Sequence, residues 1–176
     1  MHRWWRAHLR ENRKQANGGR KYENEAAAEV GNYNSLMAGV KKDLYDSDAE
    51  SFESSHRLFR TAFPEGFPWE VLEVFSGPPK VAFTWRHWAA FSGEYKGHQG
   101  SGEMVELTGF GLVTVDDDLK IMDIEVFYEA EKFLEVLEGK RPVEELKTSG
   151  AARGAPLLAA AAATGSAGVS KCPVAH

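Results

Sequence analysis

Two long runs, KVAFTWRHWAAF (80–91) and EMVELTGFGLVTV (103–115), constrain this chain more than any other feature. Both are rich in β-branched and aromatic residues, and Gly77, Pro78 and Pro79 fence the start of the first, so both read as strands. WEVLEVFS (69–76) alternates Trp69, Val71, Glu73 and Phe75 against Glu70, Leu72 and Val74. DDDLKIMDIEVFY (116–128) supplies a turn and then a fourth strand. Gly109 and Gly111 fall in mid-strand and are expected at bulges or bends of a sheet that curls sharply, as a cone or half-barrel needs.

Helical spacing appears on either side of these runs. Phe52, His56, Phe59 and Phe63 recur at intervals of four, three and four, one stripe of a helix over Ser47–Phe63. Ser47 with Glu50 makes a capping-box start, and Pro64 with Gly66 makes the stop. A shorter helix is expected around Glu29–Ala38, and AEKFLEVLEG (130–139) reads as a final helix ended by Gly139. Helices first and long antiparallel strands after them read as α+β.

Three zones divide the chain: a basic, poorly ordered segment (1–27), one domain (28–140) with nearly all the large apolar residues, and a low-complexity Ala-rich tail (141–176) ending in Cys-Pro-Val. The net charge is −5, yet residues 1–21 hold seven Lys/Arg against the single acid Glu11, leaving about −11 on the remainder. An acidic domain argues against nucleic acid as the partner. MHRWWRAHLRENRK has no apolar h-region, and APLLAAAAA (155–163) is far short of a membrane span, so no membrane partner is expected. Cys172 is the only cysteine, which excludes an intramolecular disulfide; the expected setting is the cytoplasm.

Strand alternation places Val81, Phe83, Trp85, His87 and Ala89 on one face of the 80–91 run, with Thr84, Arg86 and Trp88 on the other. The first face is apolar and should look into the cone, carrying His87 with it. There His87 is a general base, a polar anchor for a ligand, or a buried imidazole satisfied by a neighbour. Arg86 and Trp88 suit an outer sheet surface or a dimer interface, and Arg86 has Glu106 and Asp123 as cross-strand partners. His56 is the second imidazole on an apolar stripe and is expected to approach the same cavity. Two histidines without a third ligand make no zinc site, so neither metal nor cofactor is expected. GHQGSG (97–102) lacks the Lys and the strand–turn–helix context of a phosphate loop, DDD (116–118) reads as a solvated turn, and no Ser or Cys stands in a nucleophile elbow.

The order of elements resembles the SnoaL-like branch of the NTF2-like superfamily, with SGEYKG (92–97), VELTG (105–109) and LKIMDIE (119–125) in the places of its corner and its last two strands. A closer resemblance is to the pathogen-related protein family described from plants. It is carried by GNYNSLM (31–37), DAESFESSHRLFRTAFPEGFPWEVLEVFS (48–76), RHW (86–88), FYEAEKFL (127–134) and the terminal CPV (172–174). This resemblance implies a curved antiparallel sheet closed by N-terminal helices over a pocket, commonly dimerising through the outer sheet face. The family name records induction in defence or stress. SnoaL-type cyclases place a catalytic Asp on the last strand; that position falls at Val126 here, while Asp123 and Glu125 take the other parity. The expected function is therefore binding of a small apolar or aromatic molecule by Phe83, Trp85, His87, Tyr128, His56 and Phe59, without a fixed acid–base pair. The alternatives are a cyclase, isomerase or dehydratase with His87 as its catalytic base, and a dimeric interaction scaffold with a filled core.

Overall fold

The long strands pair along their full length. In a computed structural model that describes residues 13–146, β3 (Lys80–Phe91) and β6 (Glu103–Val115) run antiparallel from Lys80 opposite Thr114 to Phe91 opposite Glu103. Strand β2 (Trp69–Val74) adds to the free side of β3, and β7 (Ile121–Tyr128) to the free side of β6. A fifth strand, β1 (Arg13–Ala16), lies parallel to β7 at the other edge, giving the order β1-β7-β6-β3-β2. The 80–91 and 103–115 strands keep the bounds expected of them. The expectations for residues 1–12, for the tail beyond residue 146 and for Cys172 lie outside the described residues.

Several elements differ from expectation for identifiable reasons. The folded unit starts earlier than residue 28, because β1 joins the sheet and Tyr22 is buried in front of the first helix. The expected 29–38 helix is two helices, α1 (Asn24–Val30) and α2 (Asn32–Met37), since Gly31 between them adopts φ +88. Helix α3 spans Phe52–Ala62 rather than starting at Ser47. Asp46 takes up the preceding backbone: its carboxylate accepts the Asp48 N–H at 3.0 Å and its carbonyl the Ala49 N–H at 3.1 Å. Ser51 is then the N-cap, in a reciprocal box with Ser54 instead of Ser47 with Glu50. A short hairpin, β4 (Glu94–Tyr95) with β5 (His98–Gln99), occupies the SGEYKG corner. Helix α4 (Ala130–Leu137) closes the domain, and Gly139, at φ +71, follows its end.

Gly109 and Gly111 are not bulges. Both pair in register, and the register shifts sit instead at Val71/Glu73 and Thr114/Val115. Their role is to make room for rings. A Cβ on Gly109 would stand 2.2 Å from Trp85 Cζ2, and one on Gly111 2.5 Å from Phe83 Cζ. The aromatic side chains of β3 thus lie over the bare backbone of β6.

Helices α2, α3 and α4 cover only part of the inner sheet face. Beneath them Trp85, Ala89, Phe91, Val105 and Leu107 are buried with Phe59, Phe63, Phe133, Leu134 and Leu137 in one continuous core. Twelve residues of β3 reach about 40 Å in extended form, whereas the eleven residues of α3 reach about 16 Å. The far half of the same face is therefore left open: Val81, Phe83 and Val113 are half-buried, and Trp69, Val71 and Val74 are 48%, 43% and 59% exposed.

On the outer face Arg86 pairs with Glu70, approaches Glu106 at 3.7 Å and lies 4.5 Å over the Trp88 ring. Of the two expected partners Glu106 is met. Asp123 faces outward on β7 opposite Thr114, two strands away from Arg86.

Candidate functional site

The alternation of β3 puts Phe83, Trp85 and His87 side by side on the inner face, and pairing brings in their neighbours. Trp69 sits opposite His87 and Val71 opposite Trp85. The Trp69 indole meets the Phe83 ring edge-on at 6.2 Å, and Trp85 meets His87 edge-on at 5.7 Å. Phe67, in the loop before β2, packs on the imidazole at 4.6 Å and ties it to the Phe63 and Phe133 rings of the core. The result is an apolar trough half roofed by helices, with one imidazole at the edge of the roof.

His87 is held by the backbone. Its Nδ1 lies 3.0 Å from the Pro68 carbonyl oxygen, which only accepts, so Nδ1 carries the proton and donates. The neutral ring then presents Nε2 as an acceptor. Burial lowers the His87 pKa below its ordinary value, and only partly do the neighbouring Pro68 and Phe67 backbone groups oppose this.

The sign of this shift gives a prediction. A folded-state pKa below the unfolded value of 6.5 means that the neutral ring contributes stability above that value. The contribution is lost as pH falls through 6.5 toward the lower folded value. His87→Gln should therefore lose less stability than the parent between pH 7.5 and pH 5.5 in chemical denaturation. Parallel losses in the two proteins would contradict the assignment.

Tyr128 forms the floor beside Trp85, 5.7 Å away at 62°. Its hydroxyl donates to the Leu36 carbonyl at 2.9 Å, and desolvation pushes its pKa up, so it serves as an anchored wall. The end of β7 is fixed from the N-terminal side, where the Tyr128 N–H donates to Asn17 Oδ1 at 2.7 Å. Val126, at the position where the resemblance puts a catalytic Asp, shares the inner face with Tyr128 and packs against the core. Asp123 and Glu125 take the alternate positions.

The other expected site residues fall elsewhere. Phe59 is 1% exposed inside the core, stacked on Tyr33 at 4.4 Å. His56 lies on the outer side of α3, between Phe52 at 4.2 Å and Tyr33 at 5.0 Å, with Nδ1 2.8 Å from the Phe52 carbonyl. The structure does not bring His56 and His87 to one cavity. His56 lines a shallow surface groove with Phe52, Arg57 and Arg60, and a second groove is bounded by His98, Glu103 and Lys140. Neither groove touches the trough. Trp69 and Phe67 are the trough residues that sequence reasoning missed. Trp69 stood on the alternating face of its strand, but its register against His87 is a long-range fact. Among the described residues no three His, Cys, Asp or Glu side chains are placed to hold a metal ion, and no helix is long and apolar enough to cross a membrane.

No protein-family model matches the chain. Solved structures with a similar course are the SnoaL-like protein of Jannaschia sp. CCS1 whose name proposes a polyketide cyclase, and AclR of Streptomyces galilaeus, whose name proposes a hydroxylase. The first is 15% identical, covers 76% of this chain and 75% of its own, and has a TM-score of 0.45. The second is 18% identical over 76% and 79%, with a TM-score of 0.47. Nothing about substrate or reaction follows from likeness at that level. Among curated proteins, the pathogen-related protein of Hordeum vulgare is 42% identical over 123 residues, 67% of this chain. The chain spans about half, 52%, of the length of that relative. With this identity over two thirds of its length, the chain belongs to the pathogen-related protein family, and its architecture is α+β, with helices packed on a curved, largely antiparallel sheet.

Proposed function

We propose that this protein binds a small apolar or aromatic molecule in the open half of its inner sheet face, against Phe83, Trp85 and His87, with Tyr128 as the floor and Trp69 at the rim. The observation that carries this reading is the exposed apolar surface of Trp69, Val71 and Val74 on the same face as a lone imidazole. Concave apolar surface with one or two polar groups is the usual make-up of a small-molecule site. Phe59 and His56 take no part, being in the core and on the far side of α3. The role is defence- or stress-associated, as the name of the barley homologue suggests, and is exercised in the cytoplasm without a fixed acid–base pair.

The test is a titration with 2-methoxynaphthalene, a neutral bicyclic probe, followed by tryptophan fluorescence. Removing one ring wall, as in Phe83→Ala, should weaken binding about tenfold, the equivalent of roughly 1.4 kcal/mol. Phe75→Ala on the outer face should leave it unchanged. Absence of binding by the parent protein, or equal losses in the two variants, would contradict the proposal.

We also propose that two copies associate through the outer face. Phe75, Phe110 and Phe127 form an aromatic row there, with ring centroids 6.4 Å apart at each step, beside Arg86 on Trp88. Aromatic and Arg side chains are the types enriched at interface centres. Sedimentation should show a dimer that Phe110→Glu converts to monomer. A parent protein that is monomeric at 100 µM (roughly the ceiling for a specific weak dimer) would remove this interface.

A further inference from the structure

The trough has a chemical preference beyond being apolar. Around His87 the inner-face positions are Trp69 and Val71 on β2, Phe83 and Trp85 on β3, Leu107, Gly109 and Gly111 on β6, and Val126 and Tyr128 on β7. None of them carries a charge. The Tyr128 hydroxyl is committed to Leu36, and indoles only donate. The Tyr128 oxygen, with its proton on Leu36, keeps acceptor capacity beside Met37, and the nitrogen acceptor of this face is His87 Nε2. It makes no hydrogen bond among the described residues, and it is not among the side-chain atoms sealed from solvent without a partner. Its lone pair is assigned by the other nitrogen, because the Pro68 carbonyl can only receive a proton from Nδ1.

Resting on the ligand-binding reading above, we propose that His87 Nε2 accepts a hydrogen bond from a ligand hydroxyl, so that the site selects neutral hydroxylated apolar molecules, phenols and alcohols, over their ethers and over carboxylates. An ether offers no donor and leaves Nε2 desolvated and unpaired. A carboxylate would face a nitrogen lone pair with no cation on this face to offset its charge. Either way the cost falls on the wrong ligand, and that is how a site of this kind discriminates. Burial, which favours the neutral ring, keeps the acceptor available at neutral pH.

Three probes with one ring system separate the possibilities: 2-naphthol, 2-methoxynaphthalene and 2-naphthoate, titrated at pH 7.5 into the full chain. The naphthol is expected to bind at least about tenfold tighter than the ether, with the naphthoate weakest. In His87→Phe the naphthol-to-ether ratio should fall to near one while the ether still binds. A second readout needs no variant: the His87 Nε2 15N resonance should shift on adding naphthol and stay in place on adding the ether. Binding of all three probes with equal affinity, or a ratio that survives in His87→Phe, would overturn this inference and leave apolar binding intact. No binding of any probe would overturn the binding reading itself.

Discussion

Phe59→Ala is expected to lower folding stability by about 3–5 kcal/mol, the largest loss from any single truncation on α3. The ring is buried and stands at the centre of the aromatic core, 4.4 Å from Tyr33, 6.0 Å from Tyr45, 5.6 Å from Tyr95 and 6.5 Å from Phe133. These neighbours come from four separate elements or loops, so no local shift can close the space left behind. The cost is then the lost burial of the ring plus the cavity. Phe52→Ala, on the same helix but 37% exposed outside the buried core, should cost much less, about 1 kcal/mol. Urea denaturation of both variants checks the pair. Similar midpoints would mean that the α3 stripe is not what roofs the sheet.

Gly93→Ala should be destabilising by about 3 kcal/mol or more, and for a different reason. A Cβ there would stand 1.7 Å from the Thr61 carbonyl oxygen and 2.9 Å from its carbon, both backbone atoms at the end of α3. Side chains can rotate away from an added methyl, but a helix end cannot. The contact also carries hydrogen bonds: the Gly93 N–H donates to Ala62 at 3.1 Å, and the Gly93 carbonyl accepts from Gly100 at 2.7 Å. This corner sets how closely the helix meets the sheet. Gly77→Ala, where an added Cβ meets nothing within 4 Å, should stay within about 0.5 kcal/mol of the parent. If Gly93→Ala proved as stable as Gly77→Ala, the close approach of corner and helix would be disproved.

How much of this was legible in the residues depends on the range of the cause. The two long strands, the facing of β3 and the inward course of His87 follow from alternation, which is a local pattern. The helix over 52–62 follows from the Phe52–Phe63 spacing, but its start was misplaced because Ser47/Glu50 and Ser51/Ser54 satisfy the same three-residue rule. Only the Asp46 turn, a tertiary outcome, decides between them. Strand β1 was not legible: RKQA has neither alternation nor β-branched residues, and it is a strand only because β7 offers an edge. The mid-strand glycines carry no bulge, since the rings that need the space belong to a strand more than twenty residues away in sequence.

The candidate site divides the same way. Phe83, Trp85 and His87 are neighbours by strand parity, and Tyr128 joins them by register. Helical spacing put His56 on the Phe59 stripe, but a stripe four residues wide wraps past the buried line, and His56 ends among Phe52 and Tyr33 on the outside. That the roof stops halfway along the sheet is a matter of element lengths. It made Trp69 part of the trough, and it shifted the open surface from beneath the helices to the strand ends beyond them.

The central claim is that the open half of the inner face receives a ligand, and indole N–H resonances test it most directly. With 15N-labelled protein titrated by 2-naphthol, the Trp69 and Trp85 signals should move together and saturate at a single stoichiometric site, while Trp88 on the outer face stays still. Movement of Trp88 alone, or no movement of Trp69 and Trp85 at saturating probe, would contradict it.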